Sequence, residues 1–146
     1  MKNDLLGYCG LYCGGCSVYQ NTVNGAPMKN ENGEIMECKG CNSELTTGWC
    51  SVCDIKKCSR NKGIRYCLEC SENPCERITE FMNESEYPYH LEIQDNMKLL
   101  AKIGFEEWIH FNENKYTCSN CKTAVNWFEK ECSNCKQDLK RSYFNR

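Results

Sequence analysis

Fifteen cysteines, about a tenth of the 146 residues, are the side chains of this sequence best suited to chemistry. Twelve of them form C-x2-C pairs, which place two thiolates on one turn and suit a tetrahedral zinc ion. Disulfides within a C-x2-C pair are mostly redox-active rather than structural. The odd count also leaves at least one thiol outside any scheme made only of disulfides. The composition therefore predicts thiolates that bind metal.

The clearest metal-binding pattern lies near the C-terminus. Cys118-Ser-Asn-Cys121-Lys and Cys132-Ser-Asn-Cys135-Lys are nearly identical, and the residues between them, 124–128, have the apolar and aromatic content of a strand. This pattern predicts a zinc ribbon, in which two knuckles on adjacent hairpin turns bind one ion through four thiolates. Iron in a rubredoxin-like site is the alternative. A closed four-thiolate site has no open position for catalysis.

A second array lies between residues 38 and 75. It contains the Cys38-Lys-Gly-Cys41 knuckle and two C-x2-C-x4-C triplets, and its thiols are Cys38, Cys41, Cys50, Cys53, Cys58, Cys67, Cys70 and Cys75. Eight thiolates suit two four-coordinate ions. Each triplet lacks a fourth ligand, and Cys38 and Cys41 are the nearest sources, so we expect two interlocked sites. Alternatively, Cys58 or Cys75 is a buried or reactive thiol.

The N-terminal triplet Cys9, Cys13 and Cys16 has C-x3-C-x2-C spacing. Radical S-adenosylmethionine enzymes hold a four-iron cluster with this spacing, but the chain is too short for their barrel, and Gly15 stands where they usually carry an aromatic residue. We expect a third zinc site with a fourth ligand from elsewhere: His90, His110, a carboxylate, a shared thiolate or water. An iron–sulfur cluster is the alternative.

The remaining residues offer no catalytic group. The sequence has no pattern that indicates a catalytic Ser, His and Asp triad, a phosphate-binding loop or a dinucleotide fingerprint, so an enzyme is not expected. The net charge of -2 gives no global attraction to nucleic acid. Two basic stretches, 56–65 and 136–146, could contact phosphate, although nearby carboxylates dilute the first. We expect a protein partner, with nucleic acid as the alternative.

The N-terminus lacks a long apolar stretch, and no run of about 18 apolar residues occurs. We therefore expect no membrane span and a cytoplasmic protein with reduced thiols. Short helices are predicted at 17–23, from Asn73-Pro74-Cys75-Glu76 onward, at about 88–103 up to Gly104, and around Trp108. Asn73 is expected to cap its helix. A weak hairpin is predicted over 26–36.

The cysteine motifs in their order resemble the bacterial and archaeal "domain of unknown function 3795" family. The motifs that carry the resemblance are Cys9-Gly-Leu-Tyr-Cys13-Gly-Gly-Cys16, Cys38-Lys-Gly-Cys41, Cys53-Asp-Ile-Lys-Lys-Cys58, Cys67-Leu-Glu-Cys70, Asn73-Pro-Cys75 and Gly104-Phe-Glu-Glu-Trp108. The resemblance covers about residues 7–110, and the ribbon looks like an appended unit. It implies a metal-binding domain, frequent in anaerobes, without an established activity. It also supports metal roles for the N-terminal cysteines in those motifs.

The fold expected is a small metal-stabilised α+β protein with an irregular cysteine-knuckle lobe, two to three short helices and a C-terminal zinc-ribbon hairpin. The division expected is a cysteine-rich domain over 1–112 and a ribbon over 113–146. With about three to four zinc ions, the chain would be an interaction or regulatory module. The alternatives are a redox protein using the Cys9, Cys13 and Cys16 triplet, and a nucleic-acid-binding zinc module.

Overall fold

The fold is small and of mixed α and β structure. The computed structural model describes residues 2–145. Within that range lie the helices α1 (Ser17–Val23), α2 (Asp54–Lys62), α3 (Glu76–Met82), α4 (Glu92–Ile103) and α5 (Phe105–Lys115), and the strands β1 (Met28–Lys29) and β2 (Ile35–Met36). The α+β class is confirmed, but the expectation of two to three short helices was too low. No helix in this range has the length and apolar character needed to cross a membrane.

Helix α2 is the element that sequence reasoning missed. Its nine residues begin directly after Cys53, the second cysteine of the first triplet, and include Cys58, the third; the spacing of this triplet predicts only metal binding. Ile55 and Ser59, four residues apart, are both buried, so the helix packs one face on the protein. Gly63, with φ of +69°, ends it in the left-handed conformation that glycine adopts without strain. Cys53 and Cys58 are therefore positioned by a helix.

The other helices follow the predictions closely. α1 covers the predicted span, and Gly104 ends α4 with φ of +83°. The segment expected as one helix divides into a 3-10 turn at Pro88–Leu91 and then α4. The prediction that Asn73 caps α3 was wrong. Cys75 precedes that helix, and the Asn73 amide instead donates to the Met97 sulfur at 3.6 Å.

The predicted hairpin forms, but the strand expected at 124–128 does not. β1 and β2 pair antiparallel, with Met28 opposite Met36. In the C-terminal segment the described pairing is limited to isolated bridges, Thr117 with Ala124 and Glu131 with Asp138. The chain turns at Asn126, whose side-chain oxygen accepts the Phe128 amide at 2.9 Å, and this turn interrupts an extended strand.

The C-terminal segment packs on the rest of the protein. Trp127 and Tyr143 belong to the same buried cluster as Leu6, Ile93 and Trp108. The Trp127 amide donates to the Gly15 carbonyl at 2.9 Å. A Cβ on Gly15 would lie 2.4 Å from the Trp127 indole nitrogen, so this close approach requires glycine. The two segments therefore share one buried core. Their division at 112/113 into two folding units stays a prediction.

Arg141 is a buried member of the C-terminal basic stretch. It is 6% exposed, and its guanidinium lies 4.5 Å from the centre of the Tyr116 ring. The Tyr116 hydroxyl donates to the buried Glu92 carboxylate at 2.6 Å, which also pairs with Lys115 at 2.6 Å. Arg141 therefore belongs to a buried charged network that joins α4, α5 and the C-terminal segment, and it is not exposed for phosphate contact.

Gly40 gives a stability test of the packing around the first knuckle. It has φ of +113°, and a Cβ there would lie 2.3 Å from the Asp4 carbonyl oxygen. We expect Gly40→Ala to lower the free energy of unfolding by about 3 kcal/mol, because steric overlap adds to an unfavourable backbone conformation. Denaturant unfolding measures this.

Gly33→Ala is the matched control. Gly33 also has positive φ, at +78°, but no atom lies within 4 Å of its Cβ position. Gly33→Ala should lower the free energy of unfolding by only about 1 kcal/mol, because it carries the unfavourable backbone conformation without the steric overlap. Equal losses in the two variants would contradict the close approach of Gly40 to Asp4.

Candidate metal centre

Four thiols meet at the C-terminal end of the protein. The sulfur atoms of Cys118, Cys121, Cys132 and Cys135 all lie within 4.8 Å of one another. The Cys118 sulfur is 3.6 Å from that of Cys135, and the Cys121 sulfur is 3.6 Å from that of Cys132. Cys118 and Cys132 are fully buried. We call this set the C-terminal thiol cluster.

The two knuckles that carry these thiols have the same backbone. In the first, the Cys118 amide donates to the Thr123 carbonyl at 2.8 Å, and in the second the Cys132 amide donates to that of Gln137 at 2.8 Å. Lys122 and Lys136 follow the second cysteine of each knuckle, with φ of +65° and +66°. A lysine is strained in this left-handed conformation, so the tight turn is held by its surroundings.

Each knuckle also supplies a donor to the other. The Asn134 side chain hydrogen-bonds the Cys121 thiol and, with Thr123, lowers its pKa to about 5. Symmetrically, the Asn120 side chain hydrogen-bonds the Cys135 thiol and lowers its pKa. Donors aimed at sulfur stabilise the thiolate, which is the form that binds metal. The repeated Ser-Asn between the cysteines therefore has a role that spacing alone did not reveal.

The C-terminal thiol cluster fits a tetrahedral ion. Four thiolates at about 2.3 Å from zinc lie about 3.8 Å from one another, and the two closest sulfur pairs here are each 3.6 Å apart. The donor set is all sulfur, which suits zinc or iron and not calcium or magnesium. All four positions around such an ion would be filled by protein.

The eleven N-terminal thiols are gathered less tightly. Throughout residues 2–145, the C-terminal thiol cluster is the one group of three or more potential ligands whose atoms lie within 4.8 Å of one another. All fifteen cysteines are free thiols rather than disulfides. The N-terminal thiols nevertheless fall into two neighbourhoods, which their mutual electrostatic effects reveal.

The first neighbourhood surrounds Cys67. Burial raises the pKa of Cys67, and the negative charges of Cys75, Cys58 and Cys70 raise it further. The Ser59 hydroxyl, beside Cys58 on α2, lies 3.7 Å from the Cys67 sulfur. The second triplet thus has Cys58 as a neighbour, and the expectation that it takes a ligand from Cys38 or Cys41 stays a prediction. Cys58 lies within α2, which therefore sets its position beside Cys67.

The second neighbourhood surrounds Cys41. Burial raises the pKa of Cys50 to about 12, and the charges of Cys41, Cys38, Cys16 and Cys53 add to the effect. Hence Cys50 and Cys53 do lie near the knuckle expected to complete their site. Cys9 lies between the two neighbourhoods, since Cys41, Cys53 and Cys67 all raise its pKa after burial.

Cys13 and Cys41 form a hydrogen-bonded pair within this neighbourhood. The Cys41 amide donates to the Cys13 sulfur at 3.4 Å. The hydrogen bond between the two side chains lowers the pKa of Cys41 to about 6 and raises that of Cys13. The Gly40 amide similarly donates to the Cys38 sulfur at 3.4 Å, as expected for a tight knuckle. Buried amides directed at sulfur favour thiolates here too.

Three helices begin directly after a cysteine. α1 follows Cys16, α2 follows Cys53 and α3 follows Cys75. The free amides of a helix N-terminus carry partial positive charge, which favours a thiolate. Burial raises the pKa of Cys53, whereas the amides of Lys56 and Ile55 lower it. The same opposition holds at Cys16. The short helices thus offset part of the cost of charged sulfur.

Neither histidine lies in a metal-ligand group. His90 is buried, stacks on Phe81 at 4.0 Å between ring centres, and its Nδ1 is 2.9 Å from the Phe81 carbonyl oxygen. His110 is exposed on α5, and its Nδ1 lies 3.7 Å from a Glu113 carboxylate oxygen. Cys38, Cys41 and Cys50 are thiol neighbours of the N-terminal triplet, and its fourth ligand stays a prediction, with a shared thiolate, a carboxylate or water as the candidates.

The family comparison matches the N-terminal half. The model of a family described as "Protein of unknown function (DUF3795)" matches residues 5–80, just over half of the chain. The chain belongs to the DUF3795 family. The DUF3795 match includes every N-terminal cysteine, but not the Gly104–Trp108 segment that the resemblance was expected to reach. The C-terminal thiol cluster also lies outside it. No curated protein and no solved structure matched the chain.

The hydrogen bonds from each knuckle's asparagine to a thiol of the other knuckle can be tested directly. Asn134→Ala removes a donor to the Cys121 sulfur, and we expect metal affinity at the C-terminal thiol cluster to fall about 10-fold. Competition with a coloured chelator measures the affinity. Ser119→Ala is the control, because Ser119 is an exposed knuckle residue. Equal affinity in the two variants would contradict a role for Asn134.

His90 predicts a specific pH dependence. Burial lowers its pKa below the usual value near 6.5. As pH falls through about 6.5, the unfolded chain takes up a proton that the folded protein resists, so His90 lowers stability in acid. The difference in unfolding free energy between about pH 7.5 and about pH 5.5 should shrink in His90→Gln.

His110→Gln is the matched control for that measurement. His110 is exposed and its contact with Glu113 lies at the surface, so its replacement should change the pH dependence of stability less than His90→Gln does. Acid also weakens thiolate–metal bonds, but this effect is common to both variants and cancels in the comparison. If His110→Gln changed the pH dependence of the unfolding free energy more than His90→Gln did, buried His90 would not be its source.

Proposed function

We propose that this protein is a zinc-binding interaction or regulatory module whose metal sites are structural. The observation that carries the proposal is the C-terminal thiol cluster, with four sulfur atoms within 4.8 Å of one another on two matching knuckles. Zinc is the ion that proteins most often bind with four thiolates at C-x2-C spacing. The segment 113–146 is, in this proposal, a zinc ribbon appended to the DUF3795 region.

The eleven N-terminal thiols are proposed to bind further ions, for about three to four zinc per chain. Cys58, Cys67, Cys70 and Cys75 form one set of four, supported by the effects of the other three on Cys67. The remaining seven are proposed to hold one or two ions together: Cys9, Cys13, Cys16, Cys38, Cys41, Cys50 and Cys53.

The interaction role follows from the chemistry of a closed site. An ion with four protein thiolates has no open position for substrate or activated water. Its contribution is folding free energy, on the order of 10 kcal/mol per site. We therefore propose that function resides on the surfaces that the metal sites hold in place, with a protein partner. The fifteen free thiols favour a reducing, cytoplasmic location.

The Cys13 and Cys41 pair favours a second candidate function. A thiol of lowered pKa hydrogen-bonded to another thiol is the arrangement of a redox-active pair. The N-terminal triplet Cys9, Cys13 and Cys16 would then carry thiolate or iron–sulfur redox chemistry. Nucleic-acid binding by the two basic stretches is not favoured, because one of their cations, Arg141, is buried.

Metal analysis of the anaerobically purified, untagged full-length protein tests the proposal. We expect colourless protein with about three to four zinc per chain. Cys132→Ser should lose one equivalent, while Ser133→Ala, the neighbouring exposed residue, should lose none. Brown protein containing iron and sulfide would favour the redox alternative. Equal zinc content in the two variants would overturn the proposed C-terminal site.

A further inference from the structure

A cavity of about 490 Å³ opens beside the first half of α2. Lys56, Lys57 and Arg60 of the helix line one wall, and Ser43, Thr46 and Ser51 of the preceding loop line the other. The cavity is large enough for a small metabolite. It lies within the DUF3795 match but is separate from the C-terminal thiol cluster.

The cavity carries an excess of positive charge. Three of its lining side chains are cationic at neutral pH, and Glu44 is the one carboxylate among them. Within the described residues, none of these four side chains forms an ion pair. Cations held together without carboxylate partners repel one another. An anion in the cavity would relieve that repulsion.

Lys56 is the decisive residue. It is 5% exposed and lines the cavity, and in the part of the chain that the structure describes it has neither a hydrogen bond nor an ion pair. Its aliphatic stem is buried, whereas its ammonium nitrogen does not belong to the fully buried polar atoms that lack a partner, so this charged end reaches the cavity. Lys56 acts electrostatically on the thiols of Cys38, Cys41 and Cys53, which the proposed function assigns to metal, and Cys53 also lines the cavity.

The other lining groups are mostly donors with free capacity. Arg60 uses its Nε to donate to the Tyr8 hydroxyl at 3.1 Å, which leaves its terminal guanidinium nitrogens. The hydroxyls of Thr46 and Ser51 lie 3.3 Å apart, so one of them can donate outward. An ammonium group, a guanidinium fork and hydroxyls around one space are the donors that bind phosphate oxygens.

We propose that this cavity binds a phosphate group, either as free phosphate or as the monoester of a small molecule. Lys56 would donate from the inside of the cavity, Arg60 and Lys57 from the helix, and one hydroxyl of the Thr46–Ser51 pair from the opposite wall. The site requires no metal ion of its own and adds a ligand to the proposed module. The cavity volume leaves room for an organic group next to the phosphate.

Calorimetric titration of inorganic phosphate into the full-length, metal-loaded protein tests the proposal. Excess zinc is removed first, and chloride at equal ionic strength is the reference ligand. We expect saturable binding of phosphate and none of chloride. Lys56→Met should bind phosphate at least about tenfold more weakly, the loss expected for one charge-assisted hydrogen bond.

Two further variants keep the result decisive. Lys98→Met removes an exposed lysine of α4 and should leave phosphate affinity unchanged. Lys57→Met removes an exposed cation of the cavity, so it should fold normally and still weaken binding. O-phosphoserine tests the ester, and tighter binding than free phosphate would identify a monoester as the ligand.

Three outcomes would overturn the phosphate site. The first is the absence of saturable phosphate binding to the unmodified protein. The second is equal weakening by Lys98→Met and Lys57→Met, which would indicate general charge attraction. The third is a combination of two results: Lys56→Met loses zinc, and the unmodified protein does not bind phosphate. Lys56 would then serve as a countercharge to the thiolates. None of these outcomes depends on the C-terminal thiol cluster, so the two proposals fail separately.

Discussion

The mutual repulsion of clustered thiolates is the constraint on which the structure depends. Four sulfur atoms within 4.8 Å of one another cannot all be charged unless a cation lies among them. If they stay protonated, they are poor hydrogen-bond partners in a polar site. A metal ion resolves the conflict, because it replaces four weak donors with four strong bonds. The surrounding groups then prepare the thiols to lose their protons.

Several separate parts of the chain favour the loss of protons from these thiols. Asn120 and Asn134 direct amide donors at the sulfur atoms of the opposite knuckle. α1, α2 and α3 begin at cysteines, so their N-termini favour thiolate charge. Short helices and single bridges are poor sources of folding free energy by themselves. We infer that metal binding and folding are coupled, as in other small domains rich in C-x2-C pairs.

The shared core limits how independent the two cysteine-rich segments are. Trp127 lies between the two knuckles in sequence but is buried against the N-terminal half. It stacks on Tyr89 with ring centres 4.3 Å apart, and Tyr89 in turn contacts His90. A disturbance at the C-terminal thiol cluster can therefore reach the aromatic residues before α4. Such contact is a physical route for coupling, although coupling itself is a free energy that must be measured.

The local patterns in the sequence predicted the knuckles, the hairpin and most helix positions. C-x2-C spacing fixes two thiols on one turn, and Asn32-Gly33 and Gly104 have few conformational alternatives. Sequence reasoning missed α2, because its cysteine spacing predicts a metal site and its buried face has one apolar residue, Ile55, beside Lys56 and Ser59. Cys58 lies on that helix, so its position beside Cys67 could not be predicted from spacing. The strand at 124–128 failed because Asn126 turns the chain and sends Trp127 into the core.

The central claim is that the C-terminal thiol cluster holds one zinc ion in four-sulfur coordination. X-ray absorption at the zinc edge, compared between the unmodified protein and Cys132→Ser, tests it most directly. Four sulfur neighbours at about 2.3 Å are predicted on average for the unmodified protein. In the variant, one equivalent of zinc should disappear, or its shell should exchange sulfur for oxygen. A shell rich in nitrogen or oxygen in the unmodified protein, or an identical spectrum and zinc content in the variant, would contradict the account.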